Sequence, residues 1–255
     1  MLGKQLHLSN EQLLEPHGEN PYYEEMLRWP RDEIAWTYDH RWEPATLSVP
    51  YHLLSIIPRE QIRERTDLCI QYSWSIPDPA SLAFVASHLG RMAVEIGAGT
   101  GYYASLLAKL GTYVICYDKC PPHRSGGNFW HSPRHRDEDI LTWETRSVYH
   151  GVYHGDHNKA ARYTCPLFLC WPPYAQDMAY KTLKAYAGTR LVYVGEGPGG
   201  CTADDNFFAL LDREWEQIAE HRPLQWSGIH DWITVYDRVR ACEVGDSRDV
   251  RTVAL

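Results

Sequence analysis

The chain has 255 residues and a formal net charge of −8, a length that suits one large domain or one domain plus a cap. No uninterrupted apolar run approaches the roughly 20 residues of a membrane span, and the acidic balance, with no Lys/Arg cluster, excludes a nucleic-acid grip driven by counterion release. Seven scattered cysteines without a CxxC pair argue against a disulfide framework or a zinc site, and fit reduced thiols in a cytoplasm.

Residues 1–64 are rich in Trp, Tyr and charge, and prolines at 16, 21, 30, 44, 50 and 58 break them into short helices and turns. No periodic segment there is long enough to hold its own core. The stretch reads as a helical cap and substrate lid, with Trp29, Trp36 and Trp42 as aromatic covers for a pocket. It opens without an apolar h-region and a small-residue cleavage site, so a cytoplasmic location is expected.

The core is expected over 65–240. A helix is predicted from Ala80 to Leu89, then a short buried strand from Met92 to Ile96 that runs into glycines. A helix from Tyr102 to Leu110 stops at Gly111. Tyr113 to Tyr117 forms a second strand ending at Asp118, and the mixed-sign run Arg134 to Asp139 reads as a solvated loop in an irregular insert. Ser147 to Tyr153 is a third strand and Leu167 to Trp171 a fourth. Asp177 to Tyr186 is helical, Arg190 to Gly195 is a fifth strand, and Thr202 to Asp205 starts a helix expected to continue through Ile218. His230 to Arg238 alternates as a strand beside solvent, and the polar tail 241–255 is expected to fray. Strands alternating with helices imply an α/β fold: a mainly parallel sheet with helices on both faces and an antiparallel C-terminal strand.

The strongest chemical signal is Val94-Glu95-Ile96-Gly97-Ala98-Gly99-Thr100-Gly101. A strand that enters glycines and leaves as a helix lets the backbone approach a nucleotide closely. Asp118 ends the next strand, where a carboxylate accepts ribose hydroxyl protons. Here the glycines are spaced GxGxG, with Glu95 two residues before the first. A dinucleotide pyrophosphate favours a helix N-terminus free of nearby negative charge. A ligand bearing an ammonium and a sulfonium, and no phosphate, tolerates that carboxylate.

The loop resembles the S-adenosylmethionine (SAM) binding loop of the seven-stranded, Rossmann-like class I methyltransferases. That resemblance implies that Glu95, Gly97, Ala98, Gly99 and Gly101 surround the methionine portion of SAM and that Asp118 holds the ribose. It also places Asp156, in Gly155-Asp156, beside the adenine amine, and Cys170 at the cofactor.

Leu167 to Tyr174 reads LFLCWPPY and resembles the (Asn/Asp/Ser)-Pro-Pro-(Tyr/Phe) motif of amino-methyltransferases, which faces the methyl group. Trp171 takes the polar position, so side-chain orientation of an amine is lost, while Tyr174 remains a platform for the acceptor. The proline pair freezes the backbone and leaves carbonyls free to accept hydrogen bonds. A rigid turn with two packed aromatics is an equal reading. More broadly, the run from Tyr72 to Trp232 resembles an uncharacterised SAM-methyltransferase-like family carrying GAGTG and WPPY.

Gly195 to Thr202 (GEGPGGCT) should border the pocket beyond the strand ends; Glu196 either orients a substrate or caps the following helix. His150, His154 and His157 fall on a strand and turn that would set them on different faces, so no metal is expected. His230 is a candidate general base. The expectation is a methyltransferase using SAM on a small organic molecule, at an amine or hydroxyl, with no nucleic-acid or membrane partner and with homo-oligomerisation left open. A SAM-binding protein without turnover and a nicotinamide-dependent oxidoreductase are the alternatives.

Overall fold

A computed structural model describes residues 20–28, 65, 68–119, 150–226 and 228–239. The aromatic cover residues 29, 36 and 42, the 134–139 loop, the first part of the third predicted strand and the tail all lie outside them. Helix α1 is Pro21–Arg28 and α2 is Pro79–Leu89. Strand β1 (Met92–Ile96) leads to α3 (Tyr102–Lys109) and β2 (Tyr113–Asp118); β3 is Val152–His154, followed by a short 3-10 helix at His157–Arg162. Then come β4 (Leu167–Cys170), α4 (Met178–Ala185), β5 (Arg190–Gly195), α5 (Asp205–Glu214), β6 (Trp215–His221) and β7 (Trp232–Arg238).

These strands make one seven-stranded sheet in the order β3-β2-β1-β4-β5-β7-β6. All pairings from β3 through β5 are parallel, and β7 runs antiparallel to both β5 and β6. The chain starts in the middle, at β1, and winds outward first through β2 and β3, then back through β4 and β5. That reversal places a topological switch point between β1 and β4, where ligands of doubly wound sheets bind. The fold is therefore the Rossmann-like α/β sheet that the alternation implied.

Period-two alternation separates the side chains onto two faces. On one face Ala93, Val114, Phe168, Val192 and Val194 pack with Leu82, Val85 and Leu89 of α2 and Leu107 of α3. On the other, Val94, Ile96, Leu167, Leu169, Leu191 and Tyr193 pack with Leu183 of α4 and with Phe207 and Leu210 of α5. Helix α2 begins where Asp78 accepts the backbone N–H groups of Ala80 and Ser81, with Pro79 at its first position. The other oxygen of Asp78 accepts from Leu224 N at 2.9 Å, which ties this helix to the connection between β6 and β7.

Helix α1 belongs to the first core. Tyr22 is fully buried, stacks on Tyr72 at 5.2 Å, and accepts from Trp226 Nε1 at 2.8 Å. Asn20 Oδ1 accepts from the Tyr102 hydroxyl at 2.7 Å, so this N-terminal segment is fastened to the helix that follows the glycine loop.

One element departs from the sequence reading. The helix expected to reach Ile218 ends at Glu214, and Trp215–His221 is an edge strand paired with β7. Trp215 is the reason: it buries against Tyr186 (15° between planes, 6.2 Å) under the Arg238 guanidinium (4.7 Å), a position the sheet edge supplies and a continued helix does not.

Candidate functional site

The turn after β1 is built by backbone hydrogen bonds to the end of β2. Gly97 N and Ala98 N both donate to Tyr117 O, at 2.8 and 3.1 Å. Gly97, Gly99 and Gly101 all have positive φ (82°, 55° and 73°), a conformation that disfavours a side chain. A Cβ at Gly97 would meet the far end of Met178 at 2.8 Å, whereas at Gly101 it would meet His150 Cβ at 2.9 Å and His150 O at 3.2 Å, atoms that cannot swing aside.

This turn brings Gly99 N within 2.9 Å of Asp118 Oδ2. The loop and the acid, 19 residues apart, thus form one corner, with Asp118 only 2% exposed. Thr100 extends the corner: its hydroxyl donates to Tyr72 O and pulls the 72–74 segment over the loop.

A cavity of about 640 Å³ opens here, at the C-terminal ends of β1, β2 and β4. Of the residues predicted for the cofactor, Glu95, Gly97, Ala98, Gly99, Asp118 and Cys170 line it. Burial pushes the Glu95 carboxyl up to about 8, only partly opposed by the Cys116 thiol, which donates to its Oε2 at 3.6 Å. Burial likewise raises the Cys170 thiol well above its ordinary value, so it stays protonated and is no nucleophile.

Beyond β4, Trp171 is held at φ 51° with its backbone N–H on Val194 O at 2.7 Å. Its indole N–H donates to Asp231 Oδ2 at 3.2 Å, and its ring stacks on Trp74 at 5.7 Å, 22° from parallel. Pro172 O, expected to be free for an acceptor, instead accepts from Ala203 N at 3.2 Å. Tyr174 lines the cavity at its rim and is 65% exposed.

Three predicted residues lie off the cavity wall. Gly101 serves as the N-cap of α3. Asp156 is exposed and caps the 3-10 helix through Asn158 N. The side chain of His230 is exposed, while its backbone N–H donates to Glu196 Oε1 at 2.8 Å. Glu196 also takes Cys201 N at 2.6 Å on Oε2; its carboxylate staples two loops together and does not line the cavity. His150 bonds Val114 O at 3.0 Å, and among the described residues no group of three or more His, Cys, Asp or Glu is disposed to hold a metal ion. Among them, too, no helix is long and apolar enough to cross a membrane.

Arg65, Trp74 and Asp231 were not singled out in the sequence, and all three shape this site. The Arg65 guanidinium lies 5.2 Å from the Trp74 ring centroid and 5.9 Å from that of Trp171. Asp231, 2% exposed at the start of β7, anchors Trp171; burial raises its carboxyl, and the indole hydrogen bond offsets this in part. Nothing local marks these residues. They converge on Trp171 at the end of β4: Asp231 because β4, β5 and β7 are neighbours, Arg65 and Trp74 from the segment that precedes α2.

No protein-family model matches the chain, and no curated protein does. Among solved structures it is similar to a 1,6-didemethyltoxoflavin-N1-methyltransferase of Burkholderia thailandensis, at 14% identity over 78% of this chain and 94% of that one, with a TM-score of 0.42. It is similar also to magnesium protoporphyrin IX methyltransferase of Synechocystis, at 13% identity over 76% and 90% of the two chains and a TM-score of 0.41. A TehB-like SAM-dependent methyltransferase of Corynebacterium glutamicum gives 16% identity over 63% and 86%, with a TM-score of 0.36. At such scores these likenesses add nothing to what the strand order itself shows of the fold.

Proposed function

We propose that the protein is a SAM-dependent methyltransferase acting on a small organic molecule at an amine or hydroxyl. The observation that carries this reading is the corner in which Gly99 N meets Asp118 Oδ2, opening into a cavity that continues past β4. At the glycine-loop end the Asp118 carboxylate suits a phosphate-free, cationic nucleoside. Glu95 and Asp118 both line the cavity, and a pyrophosphate would meet both carboxyl groups.

In this reading Asp118 holds the ribose hydroxyls, the 97–99 backbone approaches the methionine portion, and Glu95 faces the ammonium. SAM supplies an electrophilic methyl group when bound. The protein's own part is to position the acceptor and exclude water. The Trp74–Trp171 pair and Tyr174 offer it flat apolar surface. Trp171 cannot replace the polar residue of the resembled motif, because its one donor is spent on Asp231. Proton removal falls to water or to the acceptor's own acidity, His230 being exposed and off the cavity wall.

Turnover distinguishes this reading from binding alone. The purified protein, incubated with methyl-labelled SAM and a set of small aromatic amines, phenols and hydroxy acids, is expected to release S-adenosylhomocysteine with at least one acceptor and transfer label to it. Tight cofactor binding without transfer to any acceptor would favour the binding-only protein. Hydride transfer from a nicotinamide cofactor would remove the methyltransferase altogether.

A further inference from the structure

We propose that Arg65 forms a carboxylate subsite in the cavity, so that the ligand carries a carboxylate seated beside the Trp74–Trp171 pair; the inference deepens the reading of the same cavity given above and rests on it for the identity of the neighbouring cofactor. Among the described residues lining the cavity, Arg65 is the one cationic side chain. Its Nε is buried, and no described residue accepts from it. A buried guanidinium donor is costly unless it meets an acceptor, and a ligand entering the cavity would supply one.

The geometry says what kind of group that is. The guanidinium carbon lies 5.2 Å from the Trp74 ring centroid and 5.9 Å from that of Trp171, so the cation is within cation–π range of both members of the pair. A planar guanidinium carries its N–H groups as a fork, and that fork matches the two oxygens of a carboxylate. The carboxyl groups of the cavity do not meet this need. Asp118 is at the end of β2, hydrogen-bonded to Gly99, and Glu95 is paired with the Cys116 thiol on β1. Arg65 stands instead beside Trp171, which follows β4, and near enough to Cys69 and Cys201 to oppose the rise that burial imposes on both thiols. Cys201 lies in the loop after β5. The subsite is therefore on the side of the cavity away from the ribose acid. A flat body resting on the indoles, with its acid on Arg65, uses both features at once.

Two molecules can supply such a carboxylate: the methyl acceptor, or the methionine end of the cofactor. Calorimetric titrations on wild type, Arg65→Met and Arg65→Lys separate them. One arm titrates protein saturated with S-adenosylhomocysteine with indole-3-acetate and benzoate, each against its neutral amide. The other titrates protein alone with S-adenosylhomocysteine and with methylthioadenosine, which lacks the amino-acid end.

If the acceptor supplies the acid, wild type prefers acid to amide, and Arg65→Met loses that preference by about tenfold or more, with Arg65→Lys between the two. If the cofactor supplies it, Arg65→Met weakens S-adenosylhomocysteine by a similar factor and leaves methylthioadenosine unchanged. The assignment is overturned if neither preference exists in wild type, or if both survive in an Arg65→Met protein that melts like wild type. Should neither adenosyl compound bind, the cofactor reading fails by itself, and the acid-over-amide comparison on the unsaturated protein still decides the Arg65 subsite.

Discussion

The indole N–H of Trp171 is bonded to the buried carboxylate of Asp231 at 3.2 Å, across 60 residues of sequence. This pair joins the end of β4 to the start of β7 and fixes the aromatic wall of the cavity. Asp231→Asn keeps an oxygen for the indole and should leave stability nearly unchanged. Asp231→Leu strands a buried donor and should cost about 1–3 kcal/mol. Urea unfolding of the two variants checks the difference, and tryptophan emission should shift only in the leucine variant.

Glu95 makes stability depend on pH. Burial holds its carboxyl up to about 8 in the folded protein, whereas in the unfolded chain it ionises in the ordinary range near 4.5. Between those values the folded state keeps a proton that the unfolded state has lost. Its contribution is complete below the ordinary range and disappears as pH rises through about 8. Asp231 is raised by burial as well and acts in the same direction. The thermal midpoint should therefore fall from pH 5 to pH 8, and Glu95→Gln should remove much of the slope, on the order of a few kcal/mol at the upper end. A slope of the same size in the glutamine variant would refute the assignment to Glu95.

Two glycines with positive φ give a matched comparison. At Gly111 (φ 86°) an added Cβ meets nothing within 4 Å, while at Gly101 (φ 73°) it meets His150 Cβ at 2.9 Å and Val152 Cγ2 at 3.1 Å. Gly111→Ala should cost only the backbone strain, about 1 kcal/mol. Gly101→Ala should cost about 1–3 kcal/mol more, because the β3 entry must shift as well. Chemical denaturation of both variants measures the gap.

Helix α1 is part of the core. Tyr22→Phe leaves the buried Trp226 N–H without its 2.8 Å partner and should lower stability by about 1–3 kcal/mol. If α1 were a loosely resting lid, the substitution would leave the global unfolding transition unchanged.

β1, β2, β4, β5 and β7 were legible in the sequence, and three of them are apolar runs that end in glycine or an acid: β1 before Gly97, β2 at Asp118, β5 at Gly195. There the residues that make the element also stop it. β6 was hidden because Trp-Glu-Gln-Ile-Ala-Glu-His is polar and rich in helix formers, and continues a helical pattern without a break. Pairing with β7 decides its conformation, and that is a tertiary contact. The site divides in the same way. The glycine loop and Asp118 belong to one β-α-β unit and were readable from spacing, whereas Arg65, Trp74 and Asp231 meet across three separate parts of the chain. Asp156, placed by resemblance, stands off the cavity wall as the N-cap of the 3-10 helix.

The central claim is that the Gly99–Asp118 corner binds an adenosyl cofactor. Calorimetric titration with S-adenosylhomocysteine, on wild type and on Asp118→Ala, with NAD as the competing ligand, tests it most directly. Wild type should bind S-adenosylhomocysteine in the micromolar range and NAD far more weakly, and Asp118→Ala should lose about tenfold or more in affinity while remaining folded. A preference for NAD, or affinity for S-adenosylhomocysteine unchanged in a folded Asp118→Ala protein, would contradict the account.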